Sequence, residues 1–296
     1  MHAMGTIVVP PLFYLETSAV ADLLEEPRFK ALRERIERLS SAGRLLLCTS
    51  LSTLEELVTT MPTEPELVAA VKWLRGVTPS RLIRLQNEDV VRRWVLHATA
   101  PDADRQSCFA QWNPRLDNPA RRRSALKVWR DDLRATHVRF LDRYKQLFSS
   151  PEVPAFLGRK PQYWTDPANL FREVRLLVDG LFDSPAKFVE LVQKLVPIGT
   201  PGFTEDRVWE CRENPWVLLW LGHLFTGVAK QVLRRTSDDD LRNDAYDGRH
   251  IMFASVSDAL VTNDRRLAEA VTHLRPGEVP RVFMLKDWGA ELDRCA

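Results

Sequence analysis

The sequence predicts an α/β protein built on a central parallel sheet, with a long, mainly α-helical insertion between the two parts of that sheet. Three observations predict it. Strand-like apolar runs alternate with helical periodicity at both ends of the chain. The period-two signal disappears for about 150 residues between those ends. The first run, Ile7 to Leu15, is almost wholly apolar, as a strand buried on both faces of a parallel sheet would be, and it stops at Glu16.

After that strand, Thr17 or Ser18 can cap a helix whose apolar positions include Val20, Leu23 and Leu24, followed by a charged helical segment from Arg28 to Leu39. A second strand, Leu45 to Cys48, follows Gly43. Thr49 and Ser50 then open a helix with Leu51, Leu54, Leu57 and Val58 at spacings of three and four. A short strand is read at Leu82 to Leu85. Helical spacing follows in Val90 to Thr99, Arg121 to Phe148, Ala168 to Leu195 and Trp216 to Leu233, separated by Pro-bearing breaks such as PEVP and GTPG. The α/β pattern returns with a helix near Asp247 to Ser257, a strand Ala259 to Thr262, a helix Asp264 to Leu274 and a strand Arg281 to Leu285. Residues 1–88 and 237–296 are therefore read as two parts of one α/β domain, and 89–236 as the insertion.

Composition narrows the function classes. With 45% hydrophobic and 28% charged residues, the chain is neither disordered nor fibrous. Forty-two Lys and Arg against 40 Asp and Glu leave a net charge of +2, so nucleic-acid binding has to come from local patches. Cys48, Cys108, Cys211 and Cys295 form no C-x-x-C pair, which argues against a zinc module or a disulfide framework and fits a reducing cytoplasm. No secretory leader or membrane span is expected, and the apolar window Pro215 to Phe225 reads as a buried helix. Walker-type, dinucleotide-binding, H-E-x-x-H and G-x-S-x-G motifs are absent.

In open α/β sheets ligands bind beyond the carboxyl ends of the strands, which makes acids just after strands informative. Glu16 directly follows the first strand, Glu55 and Glu56 sit early in the helix after the second, and Asp264 comes two residues after Thr262. Asp244 and Asp247 belong to the helix before the third strand. Right-handed crossovers bring these strand ends to one edge. Crowded carboxylates repel unless a cation neutralises them, and an oxygen-only site suits Mg²⁺ or Mn²⁺. Phosphoryl chemistry follows from such a site.

These residues resemble the PIN domains. FYLETS, Phe13 to Ser18, is similar to the family's first motif, an apolar strand ending in an acid followed by Thr or Ser, with Glu16 where the family most often has Asp. DGRHIMFASVSDALVTND resembles the C-terminal pattern, with Asp247, His250, Ala254, Asp258, Thr262 and Asp264 at the patterned positions. SLSTLEEL, Ser50 to Leu57, looks like the middle motif and favours Glu56 over Glu55. The resemblance covers roughly residues 7 to 85 and 240 to 290. It implies a three-layer α/β/α fold and a metal-dependent nuclease in which Glu16, Glu56, Asp247 and Asp264 hold Mg²⁺ or Mn²⁺, with RNA as substrate and DNA as the alternative.

Each residue also has a plainer reading. Glu16 and Asp264 can serve as helix-start charges, and Asp244 is read either as a further ligand or as a helix cap. His250 can orient a carboxylate or touch phosphate, and reads more simply as a packed helix histidine. Asp238 to Asp240 reads as a solvated loop. Arg121, Arg122, Arg123 and Lys127, with Arg130 beside Trp129, form a basic stripe that suits either a phosphate backbone or water, and Arg265 lies beside a proposed ligand. The alternative to a nuclease is an inactive PIN-like binding or scaffold protein. A protein inhibitor or partner and a homo-oligomer are compatible with either reading.

Overall fold

A computed structural model describes residues 10–78, 118–147, 172, 174–176, 180, 184–195, 204–232, 238–255, 257–274 and 281–295. The N-terminal part runs β1 (Leu12–Leu15), α1 (Thr17–Glu25), a 3₁₀ turn (Pro27–Phe29), α2 (Lys30–Ser41), β2 (Leu46–Cys48), α3 (Leu51–Thr60) and α4 (Glu64–Val77). Every element described between residues 89 and 236 is helical: α5 (Pro119–Leu147), α6 (Pro185–Leu195), α7 (Glu205–Glu210) with a 3₁₀ turn (Cys211–Glu213), and α8 (Pro215–Val232). The chain closes with α9 (Asp238–Ala254), β3 (Ala259–Thr262), α10 (Arg265–Leu274), β4 (Arg281–Met284) and α11 (Leu285–Cys295). The strand expected at Leu82 to Leu85 and the helix at Val90 to Thr99 lie outside the described residues.

The four strands form one all-parallel sheet in the order β2-β1-β3-β4. The two ends of the chain thus share a sheet, as their alternating pattern predicts. Phe13, Tyr14 and Leu15 pair with Ala259, Leu260 and Val261, and the ladder continues one step further through the Glu16 N–H to the Val261 carbonyl at 3.0 Å. Sheet building proceeds from β1 toward β2 on one side and toward β3 and β4 on the other. The two connections leaving β1 and β3 therefore diverge, and in open α/β sheets the carboxyl edge at such a point is where ligands bind.

Side chains alternate across β1. Phe13 and Leu15 enter an apolar core with Ala19, Leu23, Leu39, Leu74 and Trp288, and Phe13 lies 5.5 Å from the Trp288 ring. Tyr14 points the other way, toward α9. Both faces are buried, which is why this strand is apolar without a break. Local signals end the helices cleanly. Gly43, at φ 68°, closes α2 in a left-handed turn with Arg44 N–H bonded to the Leu39 carbonyl at 3.0 Å, the pattern of a Schellman cap. Thr63 and Glu66 form a capping box at the start of α4.

The α5 helix is docked on the α/β part. Leu126, Trp129 and Leu133 join its apolar core. Arg130 donates to the carbonyls of Val58 at 2.7 Å and Met61 at 3.4 Å, satisfying the C-terminal end of α3, where a cation also complements the helix dipole. The apolar α8 packs on α9 and α10. Close approach explains Gly222, where a Cβ would come within 3.0 Å of Leu274 Cδ2. No helix among the described residues is long and apolar enough to cross a membrane.

Two expectations are corrected. The first helix is capped by Glu16 itself, whose carboxylate accepts from Ser18 N–H, and not by Thr17 or Ser18. The run Asp238 to Asp240 is the first turn of α9 and not a loop before it, because acids at a helix N-terminus complement its dipole.

Candidate metal centre

Glu16 leaves β1 in extended conformation and bends its side chain back over the start of α1. Its Oε1 accepts from Ser18 N–H at 2.9 Å, and its Oε2 accepts from the Ser18 hydroxyl and from Thr262 Oγ1 at 2.8 Å. Thr262 ends β3, and its hydroxyl oxygen also accepts from the Asp264 N–H at 2.9 Å. Ser18 likewise accepts from Asn263 N–H at 2.9 Å. The two diverging connections at the sheet edge are therefore stitched together around a buried carboxylate.

Glu56 comes from α3. This helix is positioned by Ser50, whose hydroxyl caps it through Thr53 N–H, and by Thr49, whose hydroxyl reaches the Leu15 carbonyl at 3.0 Å. Glu56 Oε2 accepts from the Thr17 hydroxyl and lies 2.6 Å from His250 Nε2. His250, on α9, is fully buried, and its Nδ1 lies 2.8 Å from the Tyr14 hydroxyl, which lies 2.6 Å from Ser50 Oγ. One ligand atom from each of Glu16, Glu56 and His250 falls within 4.8 Å of the other two. These three residues can hold a metal ion.

Burial shapes the electrostatics. Desolvation pushes the Glu16 carboxyl up, the Glu56 charge adds to that rise, and His250 opposes it. Burial alone would pull His250 down, yet the Glu56 carboxylate, its hydrogen bond and Glu16 outweigh burial and hold the imidazole above its usual value. Glu55 is likewise raised by burial, although Arg249 lies 3.6 Å away and pulls it down. A bound cation would oppose these rises, because ligating groups must be deprotonated.

The other sequence-derived candidates lie outside this group. Asp264 caps α10, its Oδ1 accepting from Arg266 N–H at 2.7 Å and Leu267 N–H at 3.1 Å, while Oδ2 lies 3.9 Å from Arg266. Asp247 is partly buried on α9, one turn before His250. Neither joins the three ligand atoms. Asp244 lies on the same helix, with its side chain outside the described ones. Asp258 sits at the opposite end of β3, where its Oδ2 accepts from Leu12 N–H at 2.7 Å.

Of the basic residues, Arg121, Arg123 and Lys127 are exposed on α5, whereas Arg122 is partly buried and 3.4 Å from Glu64. Arg265 is exposed and paired with Glu269 at 2.7 Å. Tyr14, Thr17, Ser18 and Thr262 were not singled out as supports of the acids by sequence reasoning. The signal was one polar residue, Tyr14, inside an otherwise apolar strand, with the hydroxyls of Thr17 and Ser18 just after the first strand and that of Thr262 at the end of the third.

No family model, no curated protein and no solved structure matches this chain.

Proposed function

We propose that this chain is a metal-dependent endonuclease of PIN type, hydrolysing phosphodiester bonds in RNA. One observation carries the reading: Glu16 and Glu56 meet at the carboxyl edge of a parallel sheet, at the point where its winding reverses, with a third donor 194 residues after Glu56 folded onto them. Helices packed against both faces of β1 agree with the three-layer arrangement that the resemblance implies.

Glu16 and Glu56 would hold Mg²⁺ or Mn²⁺, with Asp247 and Asp264 contributing from α9 and the start of α10 once substrate is present. Such an ion activates water and stabilises charge on a scissile phosphate. The protein's own part is orientation. Thr262 and Ser18 fix the Glu16 carboxylate, and Thr17 fixes that of Glu56. The exposed Arg121, Arg123 and Lys127 supply a surface that can follow a phosphate backbone.

The test is cleavage of single-stranded RNA, structured RNA and flap-containing DNA by the purified protein with Mn²⁺ or Mg²⁺, with Asp264→Asn as control. Metal-dependent cleavage abolished in the variant supports the reading, and preference for the flap would reassign the substrate to DNA. A second reading, an inactive PIN-like scaffold, is favoured by one observation: both Glu16 oxygens already accept hydrogen bonds within the protein. Absence of cleavage on every substrate would select it.

A further inference from the structure

We infer that His250 is itself a ligand, so that the pocket holds a divalent transition ion of the Mn²⁺ to Zn²⁺ series in preference to Mg²⁺. This rests on the metal-site part of the reading above and replaces its oxygen-only donor set with two carboxylates and one imidazole.

The geometry supports it in three ways. His250 Nε2 lies 2.6 Å from Glu56 Oε2 and 4.0 Å from Glu16 Oε1. Donors around an ion at about 2.1 Å stand roughly 3 to 3.5 Å apart, so small side-chain adjustments place one ion among all three. The ring is already held for that role. Its other nitrogen faces the Tyr14 hydroxyl at 2.8 Å, and Tyr14 is in turn anchored on Ser50 at 2.6 Å. An Nδ1–H donated to Tyr14 would be the outer hydrogen bond that ligating histidines generally carry, and an incoming ion that displaces the Nε2 proton would take the lone pair facing the carboxylates. The ring is thereby oriented by a residue of β1 and a helix-capping serine of α3.

Access is one-sided. The side chains of His250 and Glu16 are 0% and 6% exposed, and that of Glu56 is 17% exposed, so water or a phosphate oxygen would approach the ion past Glu56. Imidazole nitrogen suits Zn²⁺, Fe²⁺ and their neighbours, whereas Mg²⁺ keeps to oxygen donors in near-ideal octahedral geometry. Two carboxylates leave enough hard oxygen for Mn²⁺ to enter the same pocket.

Pulsed electron paramagnetic resonance of the full chain loaded with Mn²⁺ tests this directly. Nitrogen modulation from a bound imidazole is expected, changing from ¹⁴N to ¹⁵N frequencies when the protein is made with ¹⁵N-histidine, and vanishing in His250→Gln. The labelling arm needs no substitution and so stands even where the variant fails to fold. Tyr14→Phe should weaken Mn²⁺ binding by roughly 10–100-fold. In calorimetry Zn²⁺ should bind more tightly than Mn²⁺, and Mn²⁺ more tightly than Mg²⁺. Bound Mn²⁺ without nitrogen modulation, equal affinity for Mg²⁺, or no ion bound at all overturns the inference. Cleavage with Mg²⁺ by a protein lacking the nitrogen signal would leave the nuclease reading standing without it. Nitrogen-coupled Mn²⁺ without cleavage would do the reverse.

Discussion

The Thr262 hydroxyl donates to Glu16 Oε2 at 2.8 Å across a separation of 246 residues, joining the end of β3 to the end of β1. Because the Glu16 carboxylate is buried, removing this bond costs stability. Thr262→Val should destabilise the fold by about 1–3 kcal/mol, because Glu16 Oε2 loses one of its two donors and the Asp264 N–H loses its acceptor, and Thr262→Ser should recover most of it. Urea denaturation of the three proteins measures this. Equal stability of Thr262→Val and wild type would show that Thr262 does not support Glu16.

Asp264→Asn should abolish cleavage without unfolding the protein. Asn is as good an N-cap as Asp, so the bonds from Arg266 and Leu267 persist while the charge is removed. Asp247→Asn should behave likewise. Circular dichroism and a cleavage assay together decide, and full activity in either variant removes that residue from the proposed ligand set.

The pH dependence of the metal-free protein has a definite sign. Glu16, Glu55 and His250 are all raised above their ordinary values of 4.5, 4.5 and 6.5, so in each case the folded state keeps a proton that the unfolded chain has released. Their contribution is fully present below the unfolded value and is lost as pH rises through the folded one. Glu16→Gln should therefore gain stability relative to wild type as pH rises above 4.5. Excess Mn²⁺ should reduce that difference, because it holds the ligands deprotonated. A difference that stays constant across the range contradicts the raised Glu16 value.

Charge reversal at Arg121 and Arg123 should weaken RNA binding and flatten its salt dependence, by about 0.7 in the log–log slope for each phosphate that is no longer neutralised. Arg130→Ala has a different expected outcome. It leaves the carbonyls of Val58 and Met61 without their donor and should lower stability. An unchanged salt slope in the first variant assigns those arginines to solvent.

Cys211 should resist alkylation at neutral pH in the native state. Burial pushes its thiol up to about 12 against the opposing effect of Arg212, and the thiolate is the reactive form. Mass spectrometry after brief iodoacetamide treatment would locate modified cysteines. Rapid labelling of Cys211 in folded protein would show that the turn at Cys211–Glu213 opens readily.

The sheet was legible because its strands are short apolar runs, so Ala259–Thr262, buried throughout, emerges at its observed bounds and Leu45 to Cys48 within one residue. The start of α9 was not. Its first turn, Asp238 to Asp240, is wholly acidic, so apolar periodicity cannot reveal it, and among the described side chains of the helix the buried ones include Tyr246, His250 and Ile251. The cap of α1 was missed for a related reason. Glu is a weak capping residue by propensity, and only the backbone turn at the strand end lets its longer side chain fold back. At the site, Glu16 is legible because it ends the first strand, whereas Glu55 and Glu56 both sit early in the next helix and the choice of Glu56 rests on the resemblance to the middle PIN motif. The sequence does not show which of Asp247 and His250, one helical turn apart, meets them, because that depends on the helix rotation set by Tyr14 beneath it.

The division of the sheet between the two ends of the chain has a consequence for synthesis. Glu16 and Glu56 emerge from a ribosome before His250 and Thr262, which follow 194 residues after Glu56 and 246 after Glu16. At about 5–20 residues per second the wait is on the order of ten to fifty seconds. During that interval β1 lacks β3 as a neighbour, and the Glu16 carboxylate lacks its Thr262 donor. The centre therefore cannot assemble on a chain that stops before His250. Translation itself acts as a timer that keeps the three donors apart until the segment bearing His250 has been made.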